Sequence, residues 1–180
     1  MNIPPAIAFS NDGPFFPMVA TFMLATTGLG PLYQADNPLR LSQRDSVSYH
    51  GILEPQLDVD LEQIREMTEH LDLGRAVQQL CGMLIISTHA VAADLVRHMS
   101  TLQALPEMEF FRHVRNACAH GNRFKFVSAE PRRLATWRGL TLTRVTHHNA
   151  VCIGHLINAA DLLLLLADIE RILPRPAAHP

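Results

Sequence analysis

Arg115, Asn116 and His120 are the residues whose types and spacing best suit chemistry on an anionic substrate. A guanidinium is permanently charged and shaped to fork two phosphate oxygens. An imidazole exchanges protons near neutrality and can act as general acid or base. A carboxamide beside them can orient a phosphate or the imidazole by hydrogen bonding. Arg112 precedes this group, and Arg123 and Lys125 follow it.

The element that must position them is the stretch Phe110 to Phe126. At about 100° per residue, Phe110, Phe111, Val114, Ala117 and Cys118 gather on one side of a helix and Glu109, His113, Asn116 and His120 on the other. The first set reads as core and the second as a face free for chemistry. Pro106 suits the first helical turn, and Gly121 suits the left-handed position after the last. His120 is therefore expected at the helix end, beside the loop carrying Arg123 and Lys125. His113, above Glu109 and one turn before Asn116, either supports the reacting groups from behind or lies on the surface.

An arginine, a polar residue directly after it and a histidine four to six residues on mark the RNA-cleaving members of the HEPN superfamily, and Arg115-Asn116 with His120 resembles that signature. The resemblance covers the motif well and the rest of the chain only in pattern. It implies an all-α HEPN-like bundle of four to five helices and a metal-independent endoribonuclease that needs no cofactor. In such an enzyme the RNA 2′-hydroxyl attacks the neighbouring phosphate. His120 would move the proton, Arg115 would stabilise the charge building on phosphorus, and Asn116 would orient one of them. The products would be a 2′,3′-cyclic phosphate and a 5′-hydroxyl. Arg112, Arg123 and Lys125 would hold the RNA, with His113 and Glu109 behind the site.

On a regular helix, residues five apart point about 140° away from each other, so Arg115 and His120 of one helix do not readily meet at one phosphate. Either the last turn unwinds at Gly121, or a second copy completes the site across a two-fold axis. The resemblance implies the second: a homodimer whose paired motifs face one cleft. It also implies a toxin or a phage and mobile-element defence effector, cytoplasmic, with a neutralising antitoxin as a possible partner. Some members carry a tyrosine two residues after the histidine, a target for a partner nucleotidyltransferase; Asn122 occupies that position and departs from the pattern.

Charge is distributed in keeping with an RNA partner. The formal net charge is -2, yet from Arg112 to Arg144 eight basic residues face one acidic residue, Glu130, a net of +7 that leaves -9 elsewhere. A basic patch at the motif would attract a polyanion, with a solvated arginine-rich surface as the plain alternative. The 180 residues suffice for one domain with a core of its own. Cys81, Cys118 and Cys152 fall at no disulfide or metal spacing and read as reduced core residues. His147, His148 and His155 have no acidic or cysteine partner at a metal-site spacing.

The remaining elements are expected as follows. Residues 1–55 form an irregular region with one short buried helix, Pro17 to Thr27, and a surface connection from Gln34 to Pro55. Phe15 to Leu32 carries no charge, but Pro17, Gly28, Gly30 and Pro31 interrupt it and no basic segment precedes it, so neither a membrane anchor nor a signal peptide is expected. A helix from Val59 to Leu73 presents Leu61, Ile64, Met67 and Leu71, and Arg75 to Met99 is apolar around most of its circumference, suiting the centre of a bundle. His89 within it reads as a core histidine. After the motif, the alternation at Phe124, Phe126 and at Leu140, Leu142 suggests a β-hairpin, which Trp137 anchors unless it stacks a base. A last helix runs from His147 to Leu173, its leucine run too short to span a bilayer, and a disordered tail covers 174–180.

Two other readings stand beside the nuclease. One is a noncatalytic HEPN module that binds RNA or a partner protein, with Arg115 capping carbonyls and His120 closing the helix. The other is an unrelated bundle in which the motif is coincidental.

Overall fold

Phe110, Phe111, Val114 and Ala117 are wholly buried, as their shared helix face requires, and burying each of the larger three contributes about 1.5–3 kcal/mol. Around them the computed structural model describes residues 9–32, 46–49, 57–60, 72–127 and 130–174. The chain clusters into two units, residues 1–23 with 77–180, and residues 24–76. The described elements are mainly helical, with a small antiparallel hairpin after the motif helix.

In order they are α1 (Phe16–Leu32), β1 (Ser46–Tyr49), β2 (Leu57–Asp60), α2 (Leu73–Leu95), α3 (Ser100–Gln103), α4 (Pro106–Ala119), β3 (Thr136–Trp137), β4 (Leu140–Thr141), α5 (Arg144–His147) and α6 (Ala159–Ile172).

In the larger unit, α1 contributes Val19 and Phe22, which continue the stripe begun by Phe15. The Phe15 N–H donates to Glu170 Oε1 at 3.2 Å, fastening the start of α1 to α6. Gly13 suits this contact, because a Cβ there would lie 2.9 Å from the Ser10 backbone oxygen as well as against the same carboxylate. From α2 come Cys81, Leu84, Ile85, Thr88 and Ala92, three and four apart and all buried. The Thr88 hydroxyl is satisfied within the helix by Leu84 O at 2.7 Å. The expectation that this helix is buried all round is corrected: Met83 is 67% exposed and Ile86 37%, so one face packs and the other does not. By length and composition alone α2 is apolar enough to cross a membrane. Beyond its end, Gln103 Nε2 donates to Arg97 O at 3.0 Å and to Val96 O at 2.8 Å, the latter also accepting from Met99 N–H, so one side chain ties off the end of the helix.

Pro106 occupies the first turn of α4 as its missing N–H predicts. The hairpin β3–β4 closes through Arg138 and Gly139, at φ 45° and 82°. Two positive φ values in a two-residue loop match the right-handed twist of the strands. Trp137 anchors it as expected: the ring is 4% exposed, lies 5.8 Å from Phe110, and its N–H donates to Asp168 Oδ2 at 3.0 Å. Phe124 and Phe126, however, do not pair with Leu140 and Leu142. Phe124 instead exchanges backbone hydrogen bonds with Ala150 (3.0 Å) and Asn149 (2.8 Å).

The single helix expected from His147 to Leu173 is divided. α5 is one turn, Asn149 and Gly154 take φ 66° and 90°, and α6 starts only at Ala159. The cause is readable: Asn158 and Asp161 form a capping box, each side chain bonding the other's backbone N–H. Leu162, Leu165, Leu166 and Ile169 of α6 are fully buried, and Leu173 turns extended before Pro174.

In the smaller unit, β1 and β2 pair antiparallel, from Ser46 opposite Asp60 to Tyr49 opposite Leu57. They replace a surface connection at 46–49 and correct the start of the helix expected from Val59. The helical stripe at Leu61, Ile64, Met67 and Leu71 lies outside the described residues, as does the tail from 175. Asp72 caps α2, its Oδ1 accepting from the N–H groups of Gly74 (2.9 Å) and Arg75 (3.3 Å).

Candidate functional site

The last turn of α4 brings the motif to the surface. Helical geometry persists through Ala119; His120 then takes φ -115° and ψ 42°, its N–H shared between Asn116 O (3.1 Å) and Ala117 O (3.2 Å). Gly121 and Asn122 follow at φ 76° and 61°. Open space surrounds the position of a Cβ at Gly121, so the left-handed turn, and not crowding, calls for glycine there. Asn122 then brackets the backbone of one distant residue: its Nδ2 donates to Ile153 O at 2.9 Å and its Oδ1 accepts from Ile153 N–H at 2.7 Å. This clamp sets where the chain leaves the motif.

Arg115 and Asn116 are half-buried, and Arg115 Nη1 donates to Asn116 Oδ1 at 2.9 Å. Arg115 Nε is buried with no partner among the described residues. The His120 ring is exposed and makes no hydrogen bond to any described residue. Thus the fold joins Arg115 to Asn116 and leaves His120 separate at the helix end. The last turn does not unwind before His120.

Glu109 and His113 were expected on the face free for chemistry, and both are buried, at 6% and 2% exposure. They form a charge cluster with Arg112 and Glu130. Arg112 forks Glu109 through Nη2–Oε1 (2.7 Å) and Nε–Oε2 (3.1 Å), and its Nη1 reaches Glu130 Oε1 at 3.4 Å. Burial works to raise the Glu109 pKa, but the Arg112 hydrogen bonds and charge outweigh it and hold the carboxyl below its ordinary range. Burial, aided by the Arg112 charge, lowers His113. His113 Nε2 lies between these two groups, 3.0 Å from Arg112 Nη2 and 3.3 Å from Glu109 Oε1. Arg112, expected to contact RNA, is held in an internal ion pair with about a third of its side chain exposed.

Arg123 and Lys125 are exposed as expected; Arg123 Nη1 donates to Asn149 O at 2.7 Å, and Lys125 has no described partner. The charge of the basic segment is partly spent internally, since Arg138 pairs with Asp168 at 2.7 Å as well.

His89, read from the sequence as a core histidine, is half-buried and lines a cleft. Its ring lies 5.1 Å from that of Phe111, and its pKa is lowered to about 4, first by burial and then by Arg115 and Arg112. With Ala93 and Val96 of the same stretch and Met108 of α4 it lines a cleft of about 390 Å³. Gln103, Glu109, Arg112, Glu130, Arg132 and Arg133 complete the lining, and Arg115, Asn116 and His120 do not take part. Only a histidine on the same face as Ala92 and Val96 hinted at this in the sequence. Among the described residues no three His, Cys, Asp or Glu side chains gather as a metal site. Compared with protein-family models, curated proteins and solved structures, the chain matches none.

Proposed function

We propose that this chain is a metal-independent endoribonuclease, cutting RNA by attack of its own 2′-hydroxyl. The observation that carries the reading is the state of the motif: an exposed imidazole with no described partner ends the turn that presents the Arg115–Asn116 pair. The structural roles that would explain the motif without chemistry find no support, since Arg115 donates to a side chain and not to helix carbonyls, and His120 closes the helix through its backbone alone. A proton-transfer group must be reachable, and a phosphate-stabilising cation must be held. His120 suits the first need and the Asn116-tethered Arg115 the second.

Because the two are not joined within one chain, the active form in this proposal is a homodimer, with His120 of one copy serving the phosphate held by Arg115 of the other. Arg123 and Lys125 flank that phosphate. An RNA-cutting toxin or defence effector in the cytoplasm, restrained by an antitoxin, is the setting this reading implies.

His120→Ala tests it. Cleavage of single-stranded RNA should fall at least a hundredfold, with unchanged melting temperature and RNA affinity, and the parent protein should retain cleavage in EDTA. An intact melting temperature with no cleavage by the parent protein would leave the alternative, a noncatalytic module binding RNA or a protein.

A further inference from the structure

We propose that the cleft between α2 and α4 is a nucleotide-binding site, seating one nucleobase against Ala93, Val96 and Met108 with its phosphate at Arg132 and Arg133.

Ala93, Val96 and Met108 give an aliphatic surface for a flat ring, and about 390 Å³ is near the lower end for small-molecule sites, room for one such ligand. Beside the wall are groups that match a base edge. Gln103 spends its amide nitrogen on Val96 O and Arg97 O, leaving Oε1 to accept. His89, neutral at pH 7 with its pKa lowered to about 4, offers one donor and one acceptor. A simple fatty acid would leave these groups unpaired, at a desolvation cost.

Electrostatics place the anion. Glu109 and Glu130 line the cleft, but Arg112 forks both oxygens of the first, and the second faces Arg112 through Oε1 and accepts from Val127 N–H (3.2 Å) through Oε2. Arg132 is exposed with no described partner, and Arg133 has one long contact to Gln103 O at 3.5 Å. Three guanidiniums against two carboxylates leave the lining at +1, and the two least committed cations, Arg132 and Arg133, are neighbours in the chain. A phosphate monoester or diester meets that charge.

Arg112, which the cleft shares, is one helical turn before the Arg115–Asn116 pair, so the seat adjoins the motif. A free nucleotide and a residue of an RNA strand present the same chemistry here. The strand version rests on the nuclease reading; the free nucleotide does not.

Titration by NMR, following backbone amides of the cleft with uridine and adenosine 5′-monophosphate, tests the site. The monophosphates should bind at least tenfold tighter than inorganic phosphate or the bare nucleosides. Affinity should fall at least tenfold in the exposed double variant Arg132→Ala/Arg133→Ala and also in Ala93→Phe, which fills the wall; amide spectra report whether each is folded. Binding no tighter than phosphate alone, or insensitive to the arginine pair, overturns the proposal. A 2′-O-methyl oligonucleotide, which cannot be attacked, distinguishes the sources: tighter binding than the monophosphate, lost in the same variants, assigns the seat to a strand, and preference for the monophosphate assigns it to a free nucleotide. Nucleotide binding without RNA cleavage sustains the cleft and removes the nuclease, whereas cleavage without nucleotide binding does the reverse.

Discussion

Acid should unfold this protein partly through His89. The imidazole is held at about 4 against an ordinary 6.5, because burial and the charges of Arg115 and Arg112 all oppose its protonation. The folded value lies below the unfolded one, so between these pH values the unfolded chain binds a proton that the native chain refuses. Stability from this source is complete above pH 6.5 and is lost as pH falls toward 4. A gap of about 2.5 units at about 1.4 kcal/mol per unit corresponds to about 3 kcal/mol over that window. The variant His89→Gln keeps a polar side chain and removes the titration. Urea unfolding of both proteins at about pH 7 and about pH 4.5 should show the parent losing about 2–3 kcal/mol more than the variant. Glu109 and His113, both lowered, also weaken the fold in acid, but they do so in both proteins and cancel in the difference. Equal losses in parent and variant, or an NMR titration placing His89 near its ordinary value, would refute the reasoning.

Other changes test the supports of the site. Asn122→Ala removes both bonds to the Ile153 backbone and puts a Cβ-bearing residue without a side-chain amide at φ 61°, so it should cost about 3 kcal/mol in urea unfolding, with Asn122→Gly losing less because glycine accepts that φ. Glu109→Ala should cost about 2–4 kcal/mol and Glu109→Gln less, since alanine leaves the Arg112 guanidinium without its buried acceptor; equal melting temperatures for the two would argue against the cluster. Thiol labelling under native conditions should modify Cys118 first: a hydrogen bond from Cys152 lowers its pKa, whereas burial pushes Cys81 up to about 11 and the same Cys118–Cys152 contact raises Cys152. Peptide mapping that finds Cys81 labelled as fast would contradict that order.

The motif helix was legible because its signals are local. The period of Phe110, Phe111, Val114 and Ala117, Pro106 at one end and Gly121 at the other all depend on residues within a turn or two, and the structure bears out each. The same holds for Trp137 as hairpin anchor. Where the reading failed, a local signal was present but outvoted: the Asn158–Asp161 capping box interrupts an apolar run that looked like one helix, and Ser46–Tyr49 and Leu57–Asp60 alternate too briefly to stand out. Apolar periodicity says that residues are buried without saying in which backbone, and Ile153 and Ile157 are core residues outside any helix.

By itself the sequence determined which side chains could do acid–base and phosphate chemistry, that they end a helix, and that positive charge surrounds them, since residue type, capping and count need no neighbours distant in the chain. Tertiary structure alone decided which charges remain available. Glu130, eighteen residues from Arg112, helps hold it in a buried cluster, and Asp168, thirty residues from Arg138, claims that cation. Only folding placed His89 opposite Phe111 and opened a cleft between helices whose residues show no joint spacing. The reason is that charge pairing and desolvation depend on distance through space, which a linear order of residues does not contain.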